Sequence, residues 1–221
     1  MMWAALRRDC EAALARDPAA RSSLEVALTY PGVHAIWAYR VAHLLWRRRA
    51  FFGARVISSL ARLVTGVDIH PGAQLAPGVF IDHAMGVVIG ETAEVGENVT
   101  IYQGVTLGGT SLNRGKRHPT IGAGTIIGAG AKVLGPITIG ENSRIGANAV
   151  VLKSVPAGSV VVGVPGRITT RNRPRPSDAT NLDQEMMGLH LENLHERLAH
   201  LEGHVGHDHV IRGRTSEDFS I

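Results

Sequence analysis

Residues 121–150 carry the pattern that decides the fold and read, in groups of six, IGAGTI IGAGAK VLGPIT IGENSR IGANAV. Every group opens with Ile or Val, and Gly follows at the second position in four of the five. A period of six matches neither the 3.6-residue turn of a helix nor the alternation of two in a simple strand. It predicts a short strand and a corner in each group, with one aliphatic side chain pointing inward.

The repeat continues towards the N-terminus in three phased blocks. Its aliphatic positions are Ile69, Leu75, Ile81, Ile89, Val95, Ile101, Leu107, Ile121, Ile127, Val133, Ile139, Ile145 and Val151. Small residues four positions later, such as Ala131, Ser143 and Ala149, leave room for the chain to turn. Stacked coils satisfy each other's backbone groups in parallel ladders. The pattern therefore predicts a triangular parallel β-helix of about four to five coils.

Composition agrees with a core of small and aliphatic side chains. Residues 67–166 hold 19 of the 26 glycines, and the whole chain of 221 residues has only ten aromatic residues. The single cysteine, Cys10, excludes an internal disulfide and agrees with a reducing cytosol. The longest uncharged stretch, 98–113, is too polar to cross a membrane, and charged residues stand where a signal peptide needs its apolar stretch. We therefore expect a cytoplasmic protein without membrane contact.

The flanking segments predict a division of the chain into three parts. Residues 1–66 have helical spacing, with helix boundaries near Asp17-Pro18 and at Thr29-Tyr30-Pro31, and Gly66 closes the segment. Residues 67–168 form the β-helix. Residues 169–221 begin with an Arg- and Pro-rich linker, followed by a short helix and a flexible tail. The helix is predicted from a leucine seam of Met187, Leu191, Leu194, Leu198 and Leu201.

Positive charge is concentrated in the first segment. Residues 1–66 carry ten arginines and lysines against four acidic residues, and Arg47, Arg48 and Arg49 form a basic run. The run falls at a predicted helix end, where the helix dipole favours cations. Neither aromatic interleaving nor a known motif accompanies it, so we do not expect nucleic-acid binding.

Two interruptions break the phase of the repeat. The first lies around residues 82–86, and the second, longer one spans 108–119. Insertions in a solenoid fall on loops, often on the binding face. Each interruption contains a histidine, and the second adds Arg114, Lys116 and Arg117. We therefore look for function in these two loops.

Residues 14–168 resemble the serine acetyltransferases. The matching stretches are Arg16-Asp17-Pro18-Ala19, Pro31-Gly32-Val33-His34-Ala35, Asp68-Ile69-His70-Pro71, Ile81-Asp82-His83-Ala84-Met85-Gly86, Gly90-Glu91, Gly104-Val105-Thr106-Leu107-Gly108-Gly109, Arg117-His118-Pro119 and Gly163-Val164-Pro165-Gly166. The repeats alone indicate only an acyltransferase superfamily, whereas the Asp-His-Ala and Arg-His-Pro elements are more specific. Met85 stands where the family usually has Thr, and the helical region is short for the family.

The resemblance implies an activity and an assembly. It implies acetyl transfer from acetyl-CoA to the hydroxyl of L-serine, giving O-acetyl-L-serine and CoA, as the first step of cysteine biosynthesis. It also implies inhibition by L-cysteine, a left-handed coil, homotrimers with active sites between neighbouring β-helices, and no metal. The short helical region leads us to expect trimers rather than pairs of trimers.

The chemistry requires a base, because a serine hydroxyl is a poor nucleophile until its proton is removed. By resemblance, His83 is the base and Asp68 holds its other ring nitrogen, while His118 is a second candidate base or a substrate ligand. Arg117 suits the serine carboxylate, and Asp82 and Asp17 suit its ammonium group. The candidate cofactor-binding residues are Gly108 and Gly109, whose turn could receive the oxyanion, and Ala129, Ala147 and Arg167.

Several alternatives stay open at this point. Asp17 is interpreted almost equally well as a helix cap as it is as a substrate ligand. Arg167 is interpreted equally well as an exposed arginine without a ligand. The acceptor could be homoserine, a sugar or an antibiotic hydroxyl. A γ-type carbonic anhydrase would need zinc on His70, His83 and His118, but no two of these lie five or fewer residues apart. A non-catalytic scaffold is disfavoured by the two loops, and we interpret the tail histidines, from His190 to His209, as solvated.

The chain ends in Glu217-Asp218-Phe219-Ser220-Ile221. Serine acetyltransferases commonly finish in isoleucine, which docks into the active site of O-acetylserine sulfhydrylase. A terminal carboxylate can be captured by backbone N–H groups while one aliphatic side chain fills a pocket. The resemblance therefore implies that Ile221 binds this second enzyme.

Overall fold

The structure, a computed structural model, describes residues 2–171 together with 193, 194, 197 and 198. Its helices are α1 (Met2–Arg16), α2 (Ser23–Thr29), α3 (Pro31–Arg47) and α4 (Phe51–Thr65). The Ser22 hydroxyl caps α2 by accepting the Glu25 N–H, and Pro31 opens α3. Gly66 ends α4 in the left-handed conformation, with φ of 72°. The helix boundaries predicted at Asp17-Pro18, Pro31 and Gly66 agree with these ends.

Short strands follow Gly66 at the spacing of the repeat. They are β1 (Asp68–Ile69), β2 (Gln74–Leu75), β3 (Phe80–Ile81), β4 (Val88–Ile89), β5 (Glu94–Val95), β6 (Thr100–Ile101), β7 (Thr106–Gly108), β8 (Thr120–Ile121), β9 (Ile126–Ile127), β10 (Lys132–Leu134), β11 (Thr138–Ile139), β12 (Arg144–Ile145), β13 (Val150–Val151), β14 (Ser159–Val162) and β15 (Arg167–Arg171).

Three parallel sheets form the walls of the coil. Sheet 1 is β1-β4-β7-β10-β13, sheet 2 is β2-β5-β8-β11, and sheet 3 is β3-β6-β9-β12-β14-β15. Only β15 is antiparallel to its neighbour in these described sheets. This strand ends at Arg171, three residues beyond the predicted end of the β-helix at residue 168. The division of the chain into 1–66, 67–168 and 169–221 stays a prediction.

The core is the inward side of the repeat. Every one of the thirteen aliphatic repeat positions is buried, as are Ala131, Ser143 and Ala149. Thirteen strands, β1 to β13, each contain one of these aliphatic residues. The predicted triangular β-helix with one inward aliphatic residue per six is therefore confirmed.

The corners of the triangle are the segments that join one sheet to the next. Residues 82–87 join sheet 3 to sheet 1 at corner 3–1, and residues 109–119 join sheet 1 to sheet 2 at corner 1–2. Both phase interruptions are therefore loops, as predicted, and they lie at different corners.

The helices pack onto the first coils through close contacts. A Cβ at Gly32 would lie 1.9 Å from the Ile81 carbonyl oxygen, so only glycine lets the start of α3 contact β3. The fully buried Asp9 of α1 accepts two 2.7 Å hydrogen bonds from Arg40 of α3 and one from the Gly78 N–H. These contacts hold Asp17 and Tyr30 beside corner 3–1.

Four residues of the C-terminal unit, 178–221, are described. Asn193, Leu194, Arg197 and Leu198 are helical, within the range of the predicted leucine seam. The other seam residues, the tail histidines and Ile221 lie outside the described residues. In the part of the chain that the structure describes, we find no helix with the length and apolar character needed to cross a bilayer.

Candidate active site

Corner 3–1 carries the first cluster of candidate residues. His83 and the following Ala84 both have positive φ, 54° and 55°, which turns the His83 side chain outward. The His83 ring is 72% exposed, and its Nε2 lies 3.9 Å from Asp82 Oδ2. Asp82 Oδ1 accepts the His83 backbone N–H at 2.9 Å. The loop therefore presents an accessible imidazole beside a carboxylate.

Asp17 joins this cluster from the helical region. Its Oδ1 accepts the Ala19 N–H at 2.8 Å, and its Oδ2 accepts the Tyr30 hydroxyl at 2.6 Å. Burial raises the pKa of the Asp82 carboxyl, and the charge of Asp17 adds to the rise while His83 opposes it. Two carboxylates that influence each other in this way form a suitable place for a cation.

Tyr30 is a functional candidate that the sequence analysis missed. The hydrogen bond to Asp17 is the largest of the effects that raise the pKa of Tyr30 to about 12, so its hydroxyl stays protonated and donates. The sequence gives only one hint, a tyrosine placed directly before the proline that opens a helix. Its contact with Asp17 arises from the packing of α1 against α3, which no local pattern records.

The predicted pairing of His83 with Asp68 is not formed among the described residues. Asp68 Oδ2 instead lies 3.2 Å from Arg62 Nη1, so the carboxylate is paired with α4. Asp68 begins β1 beside Val88 of β4, on the strand that follows α4. The resemblance implied the pairing, and fifteen residues of spacing do not fix which neighbour a surface carboxylate selects, so the role of Asp68 towards His83 stays a prediction.

Corner 1–2 carries the second cluster. Arg117 Nη2 lies 2.5 Å from Glu91 Oε2, and this hydrogen bond lowers the pKa of the Glu91 carboxyl. The Thr92 hydroxyl accepts the backbone N–H groups of Arg117 and His118 at 3.0 and 3.1 Å. Thr92, which no motif singled out, therefore fixes the end of the long loop.

The His118 ring is held in one orientation. Its Nδ1 accepts the Thr92 backbone N–H at 3.2 Å, so in the neutral ring the proton sits on Nε2. Burial lowers the pKa of His118 below its ordinary 6.5, and the charges of Arg117 and Lys116 lower it further. The ring is therefore neutral at neutral pH and offers an N–H donor.

Two glycines make room for this ring. A Cβ at Gly90 would lie 2.0 Å from His118 Nε2, and one at Gly109 would lie 3.2 Å from the same atom. The Gly108-Gly109 turn, a candidate for oxyanion binding, is therefore next to the Nε2–H of His118.

The remaining candidates are distributed along the coil. Ala129 and Ala147 lie at corner 3–1, the corner of His83, where the Asn148 N–H donates to the Ala129 carbonyl at 2.8 Å. Ala147 is exposed and Ala129 is partly buried, so the edge is accessible to solvent at these two coils. Arg167 is exposed on β15, beside Val162 of β14.

The zinc alternative has no support in this arrangement. His83 lies at corner 3–1, whereas His118 lies at corner 1–2. His70 Nδ1 accepts the Gly72 N–H at 3.0 Å, and its ring packs on Trp46. Among the described residues, no three His, Cys, Asp or Glu side chains are grouped so as to hold a metal ion.

The coil and its two loops define the class of hexapeptide-repeat transferases. Residues 118–153 match the family model described as bacterial transferase hexapeptide (six repeats). Serine acetyltransferase of Mycobacterium tuberculosis is 55% identical over 229 residues, which cover 100% of both chains. The chain belongs to the serine acetyltransferase family.

Solved structures agree with this assignment. A serine acetyltransferase of Brucella abortus in complex with coenzyme A has a TM-score of 0.76 and 46% identity, over 78% of this chain and 70% of that chain. A serine acetyltransferase in complex with cysteine has a TM-score of 0.77 and 41% identity, over 78% of this chain and 67% of that one. The predicted fold class, a helical region followed by a left-handed hexapeptide-repeat β-helix, is confirmed.

Proposed function

We propose that this chain transfers the acetyl group of acetyl-CoA to the hydroxyl of L-serine, releasing O-acetyl-L-serine and CoA. One observation carries the proposal beyond family membership. The loop that breaks the repeat at corner 3–1 exposes an imidazole, His83, beside the two carboxylates of Asp82 and Asp17. A base next to an ammonium site is what an amino-acid hydroxyl requires in order to react.

The reaction proceeds through one general base. His83 accepts the proton of the serine hydroxyl while the serine oxygen attacks the carbonyl carbon of the acetyl thioester. The tetrahedral intermediate then collapses, the carbon–sulfur bond breaks, and the CoA thiolate takes the proton back from His83. Such a base contributes on the order of 10²–10⁴ in rate.

Charge complementarity accounts for the choice of an amino acid. Asp17 and Asp82 bind the serine ammonium group, and the guanidinium of Arg117 binds its carboxylate by charge-assisted hydrogen bonds. Glu91 holds Arg117 from one side, which leaves other donors of the fork for the substrate.

His118 acts as a hydrogen-bond donor rather than as a base. The lone pair of its Nδ1 is occupied by the Thr92 N–H, and its neutral ring carries the proton on Nε2. That proton lies beside Gly109, so His118 and the Gly108-Gly109 turn together stabilise the developing oxyanion.

The complete site needs two copies of the chain. His83 and Asp82 lie at corner 3–1 with Asp17 near them, whereas Arg117 and His118 lie at corner 1–2. In a trimer of parallel coils, corner 3–1 of one copy adjoins corner 1–2 of the next. Acetyl-CoA lies along the same edge, past Ala129 and Ala147, and Arg167 is a candidate contact for its phosphates.

The product places the enzyme at the start of cysteine biosynthesis, and L-cysteine is the proposed feedback inhibitor. Cysteine differs from serine only by SH in place of OH and shares the ammonium and carboxylate groups. It would therefore occupy Asp17, Asp82 and Arg117 in competition with serine. The complex of a relative with cysteine supports this proposal.

Assays of thiol release from acetyl-CoA test the proposed function directly. We expect release with L-serine and at most a few per cent of that rate with L-homoserine or a galactoside. Turnover of L-homoserine or the galactoside that is faster than turnover of L-serine would favour the alternative function. That alternative is a hexapeptide-repeat O-acetyltransferase for homoserine, sugar or antibiotic hydroxyls.

A Tyr30→Phe variant should raise KM for serine about two- to tenfold with little change in kcat, because one hydrogen bond that positions Asp17 is lost. Steady-state kinetics with varied serine provide the measurement. Tyr39→Phe is the control, since it also removes a tyrosine hydroxyl, which donates to the Ala73 carbonyl and accepts the Leu75 N–H, but away from the site. An unchanged KM in Tyr30→Phe would show that Tyr30 does not position Asp17.

Deletion of Ile221 should abolish binding to O-acetylserine sulfhydrylase, because a terminal carboxylate and one aliphatic side chain carry most of such an interaction. The sulfhydrylase is titrated with the full chain and with the shortened form, with acetyl transfer by both forms as the control. Equal binding by both forms, or by neither, defeats this prediction.

A further inference from the structure

A cavity of about 700 Å³ lies between α3 and the outer side of sheet 2, away from His83. Tyr39, His43 and Arg47 line it from the helix, and the first residues of β2, β5 and β8, Gln74, Glu94 and Thr120, line it from the sheet. This volume falls in the range of small-molecule sites. We call this space the α3 cavity.

The charges of the α3 cavity leave one cation without a partner among the described residues. Arg40 is neutralised by the buried Asp9, with two hydrogen bonds of 2.7 Å. Glu94 is neutralised by Lys116 at 2.9 Å and also accepts the Thr120 hydroxyl. Arg47, the last residue of α3, forms no ion pair with any residue between 2 and 171.

The rest of the lining is apolar or weakly polar. Leu44, Ala5, Ala76 and Pro77 contribute apolar surface to the same lining. One guanidinium above such a surface complements a single carboxylate on an apolar body, because a charge-assisted hydrogen bond supplies orientation and the apolar contact supplies area.

We propose that the α3 cavity binds a small organic anion with one carboxylate on an apolar body, and that its binding alters the substrate site at corner 1–2. The effect on the substrate site rests on the proposed function, whereas the binding of the anion does not.

Two contacts join the cavity to that corner. Lys116 bonds both Glu94, in the cavity wall, and the carbonyl of Thr92, each at 2.9 Å. Thr92 in turn holds the backbone of Arg117 and the ring of His118. On the other side, His43 of the cavity wall donates from Nδ1 to the Pro71 carbonyl at 2.8 Å, next to His70. An occupant that contacts Glu94 or Thr120 therefore acts on the loop through Lys116.

Calorimetry with benzoate, benzamide and acetate tests the binding. Benzoate is expected to bind at least about tenfold more tightly than benzamide, which lacks the charge, or acetate, which lacks the apolar body. Arg47→Gln should lose most of this affinity, whereas the matched control Arg48→Gln, altered at the next residue outside the cavity, should keep it. Equal binding of benzoate by Arg47→Gln, or no benzoate binding by the wild type, overturns the site.

Serine kinetics at saturating benzoate test the coupling. We expect a change of at least about twofold in KM for serine in the wild type, and no change in Arg47→Gln, which separates this effect from competition at Arg117. In the double variant Glu94→Gln/Lys116→Met, which removes the link without leaving an unpaired carboxylate in the cavity wall, benzoate should still bind in the calorimeter without changing KM. A benzoate effect that persists in Arg47→Gln contradicts the coupling. Calorimetric binding to a protein that fails to acetylate serine would refute the proposed function and leave the binding site intact.

Discussion

His83→Ala is expected to lower kcat by at least about 100-fold, because it removes the group that accepts the serine hydroxyl proton. The fold should persist, since the His83 ring is largely exposed and belongs to a loop outside the repeat core. The measurement is thiol release at saturating serine and acetyl-CoA, with thermal unfolding measured in parallel.

The matched control for this variant is Met85→Ala, in the same loop. The Met85 side chain is also exposed and has no role in the proposed chemistry. It should keep kcat within about threefold, because the effects of exposed substitutions away from special contacts are small. If His83→Ala turns over serine as fast as the wild type, another group is the base.

Arg117→Ala is expected to raise KM for serine about 10- to 100-fold, since hydrogen bonds to charged groups contribute about 1.5–3 kcal/mol. Inhibition by cysteine should weaken by a similar factor, because both amino acids present the same carboxylate. The measurement is the initial rate over a range of serine at several fixed concentrations of cysteine.

Arg114→Ala is the control for charge in the same loop, because Arg114 forms no hydrogen bond or ion pair among residues 2–171. It should leave KM for serine and the inhibition constant for cysteine within about twofold of the wild-type values. Full cysteine sensitivity in Arg117→Ala, combined with lost serine affinity, would show that cysteine inhibits at a different place.

The repeat made most of the fold predictable. A buried aliphatic residue every six positions is a local signal, and it placed Ile69 through Val151 in the core without knowledge of any contact. The breaks in the same signal located both loops that carry the candidate site residues. The loops are readable because a solenoid tolerates insertions only outside its core.

The site itself was only partly predictable. The Arg62–Asp68 pair and the Tyr30–Asp17 hydrogen bond both depend on how helices pack on the first coils. Thr92 is an ordinary polar residue of the repeat, and its role follows from the return of the long loop to that corner. Such contacts join distant residues, so composition and spacing carry no record of them.

The most direct test of the account is complementation between two defective chains. The proposal divides each site between His83 of one copy and Arg117 of its neighbour. His83→Ala and Arg117→Ala chains with different tags are co-expressed, and assemblies that carry both tags are purified. The quantity compared with each single variant and with the wild type is kcat/KM for serine.

Each doubly tagged trimer should contain one intact site. We therefore expect about one third of the wild-type kcat/KM, because every site in a closed ring takes one corner from each of two neighbours. The single variants should stay at or below about a tenth of the wild type. Mixed assemblies no more active than the single variants would contradict a site shared between two copies of the chain.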